Sequence, residues 1–540
     1  MASNHWTKIC AVTFLAPFCL WISPQARASD QRHVVVVVWD GMRPDFVTEE
    51  LTPVLWKLAQ EGVVFRNNHA VYLSATNVNG TAIATGDYPE HSGLIANHEF
   101  RSKIDARKPV DVELPEVVEK GDALSGGKYI AVPTIAELVR QSGGRTVVAS
   151  AKTVGSLLDR KVDQAGAVHP NRPADESSSR PIANRPYPGQ AASVTFAAGR
   201  AWPNESLNQL LAALGPFPKS HPAQDDWTTK AFTEMLWKNG VPTFSLLWLG
   251  EPDLTQHETA PGDPAALRAI KSSDEKLSSV LSALDKERVR DKTDIFVVSD
   301  HGFSTIEHEI DLPQILRDAG FDAVTEFKGE PQKGQIMLVG VGGSVLIYLP
   351  DHDAALARRL TEFLQQTNYA GAIFSKEKFE GTFSLDQAQI NSPDAPDILM
   401  SFRWDENKNR FGVPGMIDAD WQRAAGKGTH ATLSRFDMHN TLIASGPDFK
   451  KGLTSDIPSG NIDLAPTILK ILGISSPTMD GRVLSEAMLS AKQTSSRDTR
   501  TIDATKAFPG GTWDQSLHIS QVGSTVYLDE GDGAFTPNQR

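Results

Sequence analysis

The stretch HVVVVVWDGMRPDF, His33 to Phe46, decides the fold. Its five consecutive valines do not alternate with polar residues, which is the pattern of a strand buried on both faces in the middle of a parallel sheet. That strand runs directly into Asp40, whose carboxylate is costly to bury unless something pairs with it, and then into Gly41. The rest of the chain has to supply the partner.

Working outward, TPVLWKLAQEGVVFRNNH (52–69) reads as an amphipathic helix followed by a strand. YIAVPTIAELVRQSGGRTVVASAK (129–152) repeats the arrangement, with a Gly-Gly stop before the strand Thr146–Ser150. Two more apolar runs, in VPTFSLLWLGEPD (241–253) and DKTDIFVVSDHGF (291–303), are separated by a stretch with helical periodicity, 266–287. Strands alternating with helices predict an α/β fold: a mostly parallel central sheet sandwiched by helices. Three of its strands end in an aspartate, Asp40, Asp253 and Asp300, and in open parallel sheets the ligand crevice lies beyond the carboxyl ends of the strands. Cap or lid insertions are expected near 100–235, where 165–202 is rich in Pro, Ala, Ser and Arg, and near 310–404. The catalytic domain then runs over 29–485, and an extension over 486–540 alternates as a hairpin packed on the core.

Residues 1–28 read as an export signal, with Lys8, an apolar run from Ile9 to Ile22, and Ala26-Arg27-Ala28 as the cleavage motif. The expectation is a periplasmic or secreted protein cut after Ala28, without a membrane span. Both cysteines, Cys10 and Cys19, fall inside that signal, so the mature chain can build neither a disulfide nor a thiolate metal site. Losing Lys8 and Arg27 with the signal takes the formal net charge from −13 to about −15. That balance argues against a nucleic-acid-binding surface; a small anionic substrate needs local cations.

GEPDLTQHETAPG (250–262) places Asp253 and His257 four residues apart, on one side of a helical turn. VVSDHGF offers Asp300 and His301 just past a strand, and GKGTHATLSRF offers His430 in a Gly-flanked loop. Taken singly, each has an ordinary explanation as a cap or a surface histidine. Together at strand ends, three Asp and three His form two sets of oxygen and nitrogen ligands suited to Zn²⁺. Chemistry of that kind also needs a nucleophile. In VYLSATNVNGTAIATGDYPEHSG (71–93) a short helix starts near Asn77, and a hydroxyl at its beginning sits where backbone N–H groups favour negative charge. Thr76 occupies that place; Ser74, Thr81 and Thr85 are chemically eligible as well.

The pieces VVVVVWDGMRPD, ATNVNGTAIATGDYPEHSG, EPDLTQH, VVSDHGF, GKGTH and NIDLAPTILKILGI occur in the order found in the alkaline phosphatase superfamily. The chain most resembles that superfamily's type I phosphodiesterase/nucleotide pyrophosphatase branch. The resemblance implies two Zn²⁺ per chain, one held by Asp253, His257 and His430, the other by Asp40, Asp300 and His301, with Thr76 as the nucleophile beside it. Asn79 matches the family's asparagine that hydrogen-bonds a non-bridging phosphate oxygen. Two Zn²⁺ against three carboxylates leave a balance of +1 before Thr76 loses its proton and zero after it, which favours that deprotonation and capture of an anion. Metals about 4 Å apart can stabilise the entering and leaving oxygens of an in-line displacement together. Thr76 would attack phosphorus, and water would then release phosphate from it.

The chain also departs from the branch pattern. NVNG follows the nucleophile where Pro-Asn-His is common, and Lys152 stands where some threonine-type phosphomonoesterases carry Lys-x-Arg, with Val154 in the second place. Lys152 is therefore a substrate-binding candidate, for a terminal phosphate or a substrate carboxylate. The expected activity is hydrolysis of phosphodiesters or nucleotide pyrophosphates through a phospho-threonine. The alternative is a phosphomonoesterase or a phosphonoacetate-type C–P hydrolase with the same metal centre. A sulfatase expects Cys or Ser in a C/S-x-P-x-R context, which Ser74 lacks. A non-catalytic metal-binding protein would have lost a ligand or the nucleophile, and all seven positions are filled.

Overall fold

The valine strand, His33–Trp39 (β1), stands at the centre of a nine-stranded sheet. The other strands are Val63–Phe65 (β2), Thr146–Ser150 (β3), Val194–Ala197 (β4), Arg200–Trp202 (β5), Phe244–Leu249 (β6), Thr293–Val298 (β7), Leu442–Ser445 (β8) and Leu453–Ser455 (β9), in the spatial order β9-β2-β8-β7-β1-β6-β3-β4-β5. The computed structural model describes residue 1 and residues 32–159, 192–490 and 496–538. The expected export signal and most of the Pro- and Arg-rich segment lie outside the described residues.

β1 pairs in parallel with β6 on one side and β7 on the other. Its residues divide between two cores. Val34, Val36 and Val38 join one cluster with Leu246, Trp248 and Phe296, while Val35, Val37 and Trp39 join another with Leu247, Leu249 and Ile295. All five valines are fully buried, which is why no polar residue interrupts the run. Covering each face are helices whose apolar stripes match. Thr76–Thr85 (α1) and Leu464–Leu472 (α4) pack on the first core through Val78, Ile83, Leu464 and Ile468. On the second, Pro264–Lys286 (α3) presents Ile270, Leu277, Val280 and Leu284. The helix α3 starts where Asp263 accepts the Ala265 N–H, with Pro264 at the first helical position. Between β6 and α3 lies the short helix Asp253–Glu258 (α2).

The sheet is mixed: β8 and β5 run antiparallel to their neighbours, while the block β7-β1-β6-β3-β4 is parallel. The stretch expected as an insertion near 100–235 contributes β3, β4 and β5 to this sheet, because its apolar run 146–150 finds β6 as a parallel partner. Residues 322–402 hold a separate six-stranded sheet, and a four-stranded sheet built around Ser304–Ile310 and Pro414–Asp420 adjoins the site. The C-terminal residues form three antiparallel strands rather than the expected two. Arg497–Phe508 adds to the hairpin of Gly511–Val522 and Thr525–Pro537, which packs inward through Trp513, Leu517 and Tyr527. No described helix is long and apolar enough to cross a membrane.

Candidate active site

Asp40, Asp253 and Asp300 follow β1, β6 and β7, three neighbouring parallel strands. Lys152 follows β3, the next strand along. Gly41 makes the convergence possible. It adopts φ +69°, and a Cβ there would stand 2.9 Å from Phe303 Cδ2 and 3.1 Å from Asp253 Cα. The Asp253 N–H donates to the Asp40 carbonyl (3.0 Å), extending the β1–β6 pairing into the loops. Asp253 opens α2, so His257 lies one turn on with its Nε2 3.2 Å from Asp253 Oδ1. His430 follows the short strand Gly428–Thr429, which pairs with Ser304–Thr305, and its ring stacks on that of His301 at 3.7 Å between centroids.

Two triads result, Asp253/His257/His430 and Asp40/Asp300/His301, within each of which the potential ligand atoms lie within 4.8 Å of one another. His301 Nε2 is 3.2 Å from Asp300 Oδ2 and 3.6 Å from Asp40 Oδ1; His430 Nε2 is 3.6 Å from Asp253 Oδ1. Ligands of one tetrahedral metal at about 2.0–2.2 Å stand about 3.3 Å apart. Each carboxylate uses one oxygen as an anchor. Asp300 Oδ1 accepts the N–H groups of Gly41 and His301, Asp40 Oδ2 accepts Trp248 Nε1, and Asp253 Oδ2 accepts Lys152 Nζ at 2.9 Å. The other oxygens, Asp40 Oδ1, Asp253 Oδ1 and Asp300 Oδ2, are buried and have no hydrogen-bond partner. Each imidazole places Nδ1 against a carbonyl: His257 on Gly428 (3.0 Å), His301 on Gly302 (2.8 Å), His430 on Ser74 (2.7 Å). Nδ1 therefore carries the proton and Nε2 presents its lone pair inward. Three orphaned oxygens facing three lone pairs form a donor set for divalent cations.

The electrostatics agree. Burial and the charge of Asp300 push the Asp40 carboxyl well above its usual range. Asp253 is held well below it, because the Lys152 ammonium outweighs its burial. Burial and the neighbouring imidazoles push His430 well below 6.5, and burial lowers His257, so both rings stay neutral, as metal ligation requires. For Lys152, burial is outweighed by the carboxylates of Asp253, Asp40 and Asp300, which raise its pKa; its ammonium also lies 2.9 Å from Asp40 Oδ2 and 3.4 Å from Thr76 Oγ1.

Thr76 is the first residue of α1, after Ala75 in extended conformation, and its hydroxyl is 3.4 Å from His301 Nε2. The other eligible hydroxyls are committed elsewhere: Ser74 donates to Thr432 O, Thr81 to Asn77 O, Thr85 to Thr81 O. Eight of the nine residues singled out in the sequence thus meet in one place. Asn79 does not present its amide to that place. Its Nδ2 donates to the carbonyls of Val71, Leu73 and Ala75, and its Oδ1 accepts from Val71 N and Asn461 Nδ2, so the amide is engaged inside the protein. Sequence reasoning passed over Asn97. Its Oδ1 accepts the N–H of Asn77, the residue after Thr76, at 2.8 Å. The only linear signal was an asparagine after an apolar turn, GLIAN; the loop that folds it back is tertiary.

Behind β6, Asp225 accepts the N–H groups of Gly250 and Glu251, and burial pushes its pKa up to about 7. The folded chain therefore keeps a proton there that the unfolded chain loses near pH 4, so this group's contribution to stability declines as pH rises from about 4 to about 7. The expected result is that the stability of the parent relative to Asp225→Asn falls over that window, read from urea titrations at each pH.

An α/β sheet with carboxylates and imidazoles gathered at its carboxyl edge around one hydroxyl has the layout of metal-dependent hydrolases of alkaline-phosphatase-like fold. The chain belongs to the type I phosphodiesterase/nucleotide pyrophosphatase family, whose model matches residues 34–406, and it is a hydrolase of that metal-dependent class. It is 21% identical to rat ectonucleotide pyrophosphatase/phosphodiesterase family member 7 over 472 residues, 86% of this chain and 89% of that protein. It is likewise 21% identical to the Xenopus laevis bis(5'-adenosyl)-triphosphatase over 496 residues, 90% and 87% of the two chains. Murine ectonucleotide pyrophosphatase/phosphodiesterase 5, solved as an inactive variant with AMP, superposes with a TM-score of 0.56 at 16% identity, covering 85% of this chain and 100% of that one.

Proposed function

We propose that the protein is an exported two-zinc phosphoric ester hydrolase that cleaves phosphodiester or nucleotide pyrophosphate bonds through a phospho-threonine on Thr76. The observation that carries the reading is the set of three buried, unpartnered carboxylate oxygens facing three imidazole lone pairs. The donor set is nitrogen and oxygen without thiolate, which suits zinc, with Asp253, His257 and His430 on one ion and Asp40, Asp300 and His301 on the other. When bound, the metals supply Lewis acidity at the entering and leaving oxygens. Thr76 Oγ forms the new bond to phosphorus as the ester or anhydride bond breaks and its oxygen departs; water then cleaves the phosphorus–Oγ bond and restores the hydroxyl. Asn97 Nδ2 would bind a non-bridging oxygen. The relatives support a nucleotide substrate: one carries bis(5'-adenosyl)-triphosphatase as its name, and the murine neighbour was solved with AMP. The "ecto" names of the relatives, with the signal-like residues 1–28, support export.

Comparing rates on a bis-aryl phosphate diester, an aryl monoester and phosphonoacetate tests this reading. The diester, or a dinucleoside polyphosphate, should be hydrolysed fastest; turnover confined to phosphonoacetate would replace the reading. Lys152 favours the second reading, a monoesterase or C–P hydrolase, because it puts an ammonium 3.4 Å from the nucleophile. Removing one such electrostatic contact costs about 10²-fold in rate. Lys152→Met is therefore expected to lower kcat/KM by about that factor on the diester, and by more on the doubly charged monoester, as steady-state kinetics will show.

A further inference from the structure

Four buried asparagines lie behind the site: Asn68, Asn79, Asn440 and Asn461, none more than 2% exposed. Their amides are joined head to tail. Asn68 Nδ2 donates to Asn440 Oδ1 (2.7 Å), Asn440 Nδ2 to Asn461 Oδ1 (3.0 Å), and Asn461 Nδ2 to Asn79 Oδ1 (3.0 Å). Ser459 Oγ donates to Asn68 Oδ1 at the head of the row (2.9 Å). The second N–H of each later amide reaches a backbone carbonyl next to the chemistry: Asn440 donates to Ser299 O, Asn461 to Asp300 O (2.7 Å), and Asn79 to Leu73 O and Ala75 O (3.3 and 3.2 Å). One side chain, Asn461, thus holds the segment carrying Asp300 and His301 and, through Asn79, the turn that ends at Thr76.

We propose that this amide row sets the spacing between the Thr76 hydroxyl and the Asp40/Asp300/His301 triad, with Asn461 and Asn79 as positioning residues; the proposal rests on the reading of Thr76 and the triad given above. The chemistry of the amide explains why four of them are used. Each supplies a double donor and an acceptor without a charge, so the row is fully satisfied in a dry interior, where a satisfied network is rigid and a broken one is costly. A carboxylate in the same place would add an anion behind three aspartates. A hydroxyl has one proton and cannot hold both segments.

The test compares Asn461→Ala with Gln515→Ala, in which a similarly buried amide, bonded to the N–H and the carbonyl of Ile373, is lost outside the row. Loss of a partner that orients a metal ligand costs about 10–100-fold in metal affinity or activity. Zinc-saturated Asn461→Ala is expected to lose at least tenfold in kcat on the bis-aryl diester with KM within about threefold, and at least tenfold in zinc affinity by competition titration. Gln515→Ala should keep kcat and zinc affinity within about twofold even where its melting temperature falls as far. Equal losses in the two variants, or a folded Asn461→Ala with parental kcat and zinc affinity, would overturn the proposal. If Asn461→Ala does not fold, Asn461→Ser, which keeps a single donor, is measured the same way with the same two outcomes. A parent without diesterase turnover would remove the functional reading alone; the zinc affinities of the two variants then decide the positioning role.

Discussion

Thr76→Ala is expected to reduce kcat by about 10³–10⁶-fold, the range seen when the nucleophile of a covalent mechanism is removed while binding groups remain. At 1.36 kcal/mol per decade this is about 4–8 kcal/mol of transition-state stabilisation. The fold should survive. Thr76 opens α1 without capping it, the cap position belonging to Ala75, and its hydroxyl makes long contacts of 3.4 Å with His301 and Lys152. Zinc content should therefore remain that of the parent, and Thr76→Ser should recover part of the rate. Steady-state kinetics with metal analysis on the same samples separates the outcomes. Near-parental turnover in Thr76→Ala would exclude the threonine as nucleophile.

Asp300→Ala is expected to act differently, on metal and rate together. Asp300 anchors Gly41 N and His301 N through Oδ1 and offers Oδ2 to the cluster. Removing it takes away a ligand and also releases the turn that presents His301. The loss of zinc affinity should exceed the 10–100-fold that follows removal of an outer partner, and turnover at sub-saturating zinc should fall further than at saturation. EDTA should inactivate the parent and added Zn²⁺ restore it, while the variant should recover only in large zinc excess. A variant that binds zinc as the parent does, yet is inactive, would move Asp300 out of the ligand set.

Much of this arrangement was legible because it is written in local patterns. An unbroken run of β-branched valines reads as a doubly buried strand, and Val34 to Val38 divide between two cores as that requires. An aspartate after each of three apolar runs marks strand ends, and the four-residue spacing of Asp253 and His257 puts them on one side of α2. What was not legible depends on long-range placement. That β7, β1 and β6 are neighbours, so that their aspartates meet, follows from tertiary pairing. The antiparallel insertion of β8 beside β7 leaves no trace in composition. Asn79 matches a phosphate-binding asparagine only through the family resemblance; on α1 its side chain lies back over the preceding turn, where its amide bonds the carbonyls of Val71, Leu73 and Ala75. Asn97, twenty-one residues downstream of Thr76, reaches Asn77 only because the intervening loop returns.

The proposed chemistry requires two cations seated in the two triads around Thr76. Crystals equilibrated with Zn²⁺ and measured on both sides of the zinc absorption edge test this directly. Two anomalous peaks are predicted, one among Asp253, His257 and His430 and the other among Asp40, Asp300, His301 and the Thr76 hydroxyl. A single peak, or a zinc that His430 or Asp40 does not touch, would contradict it.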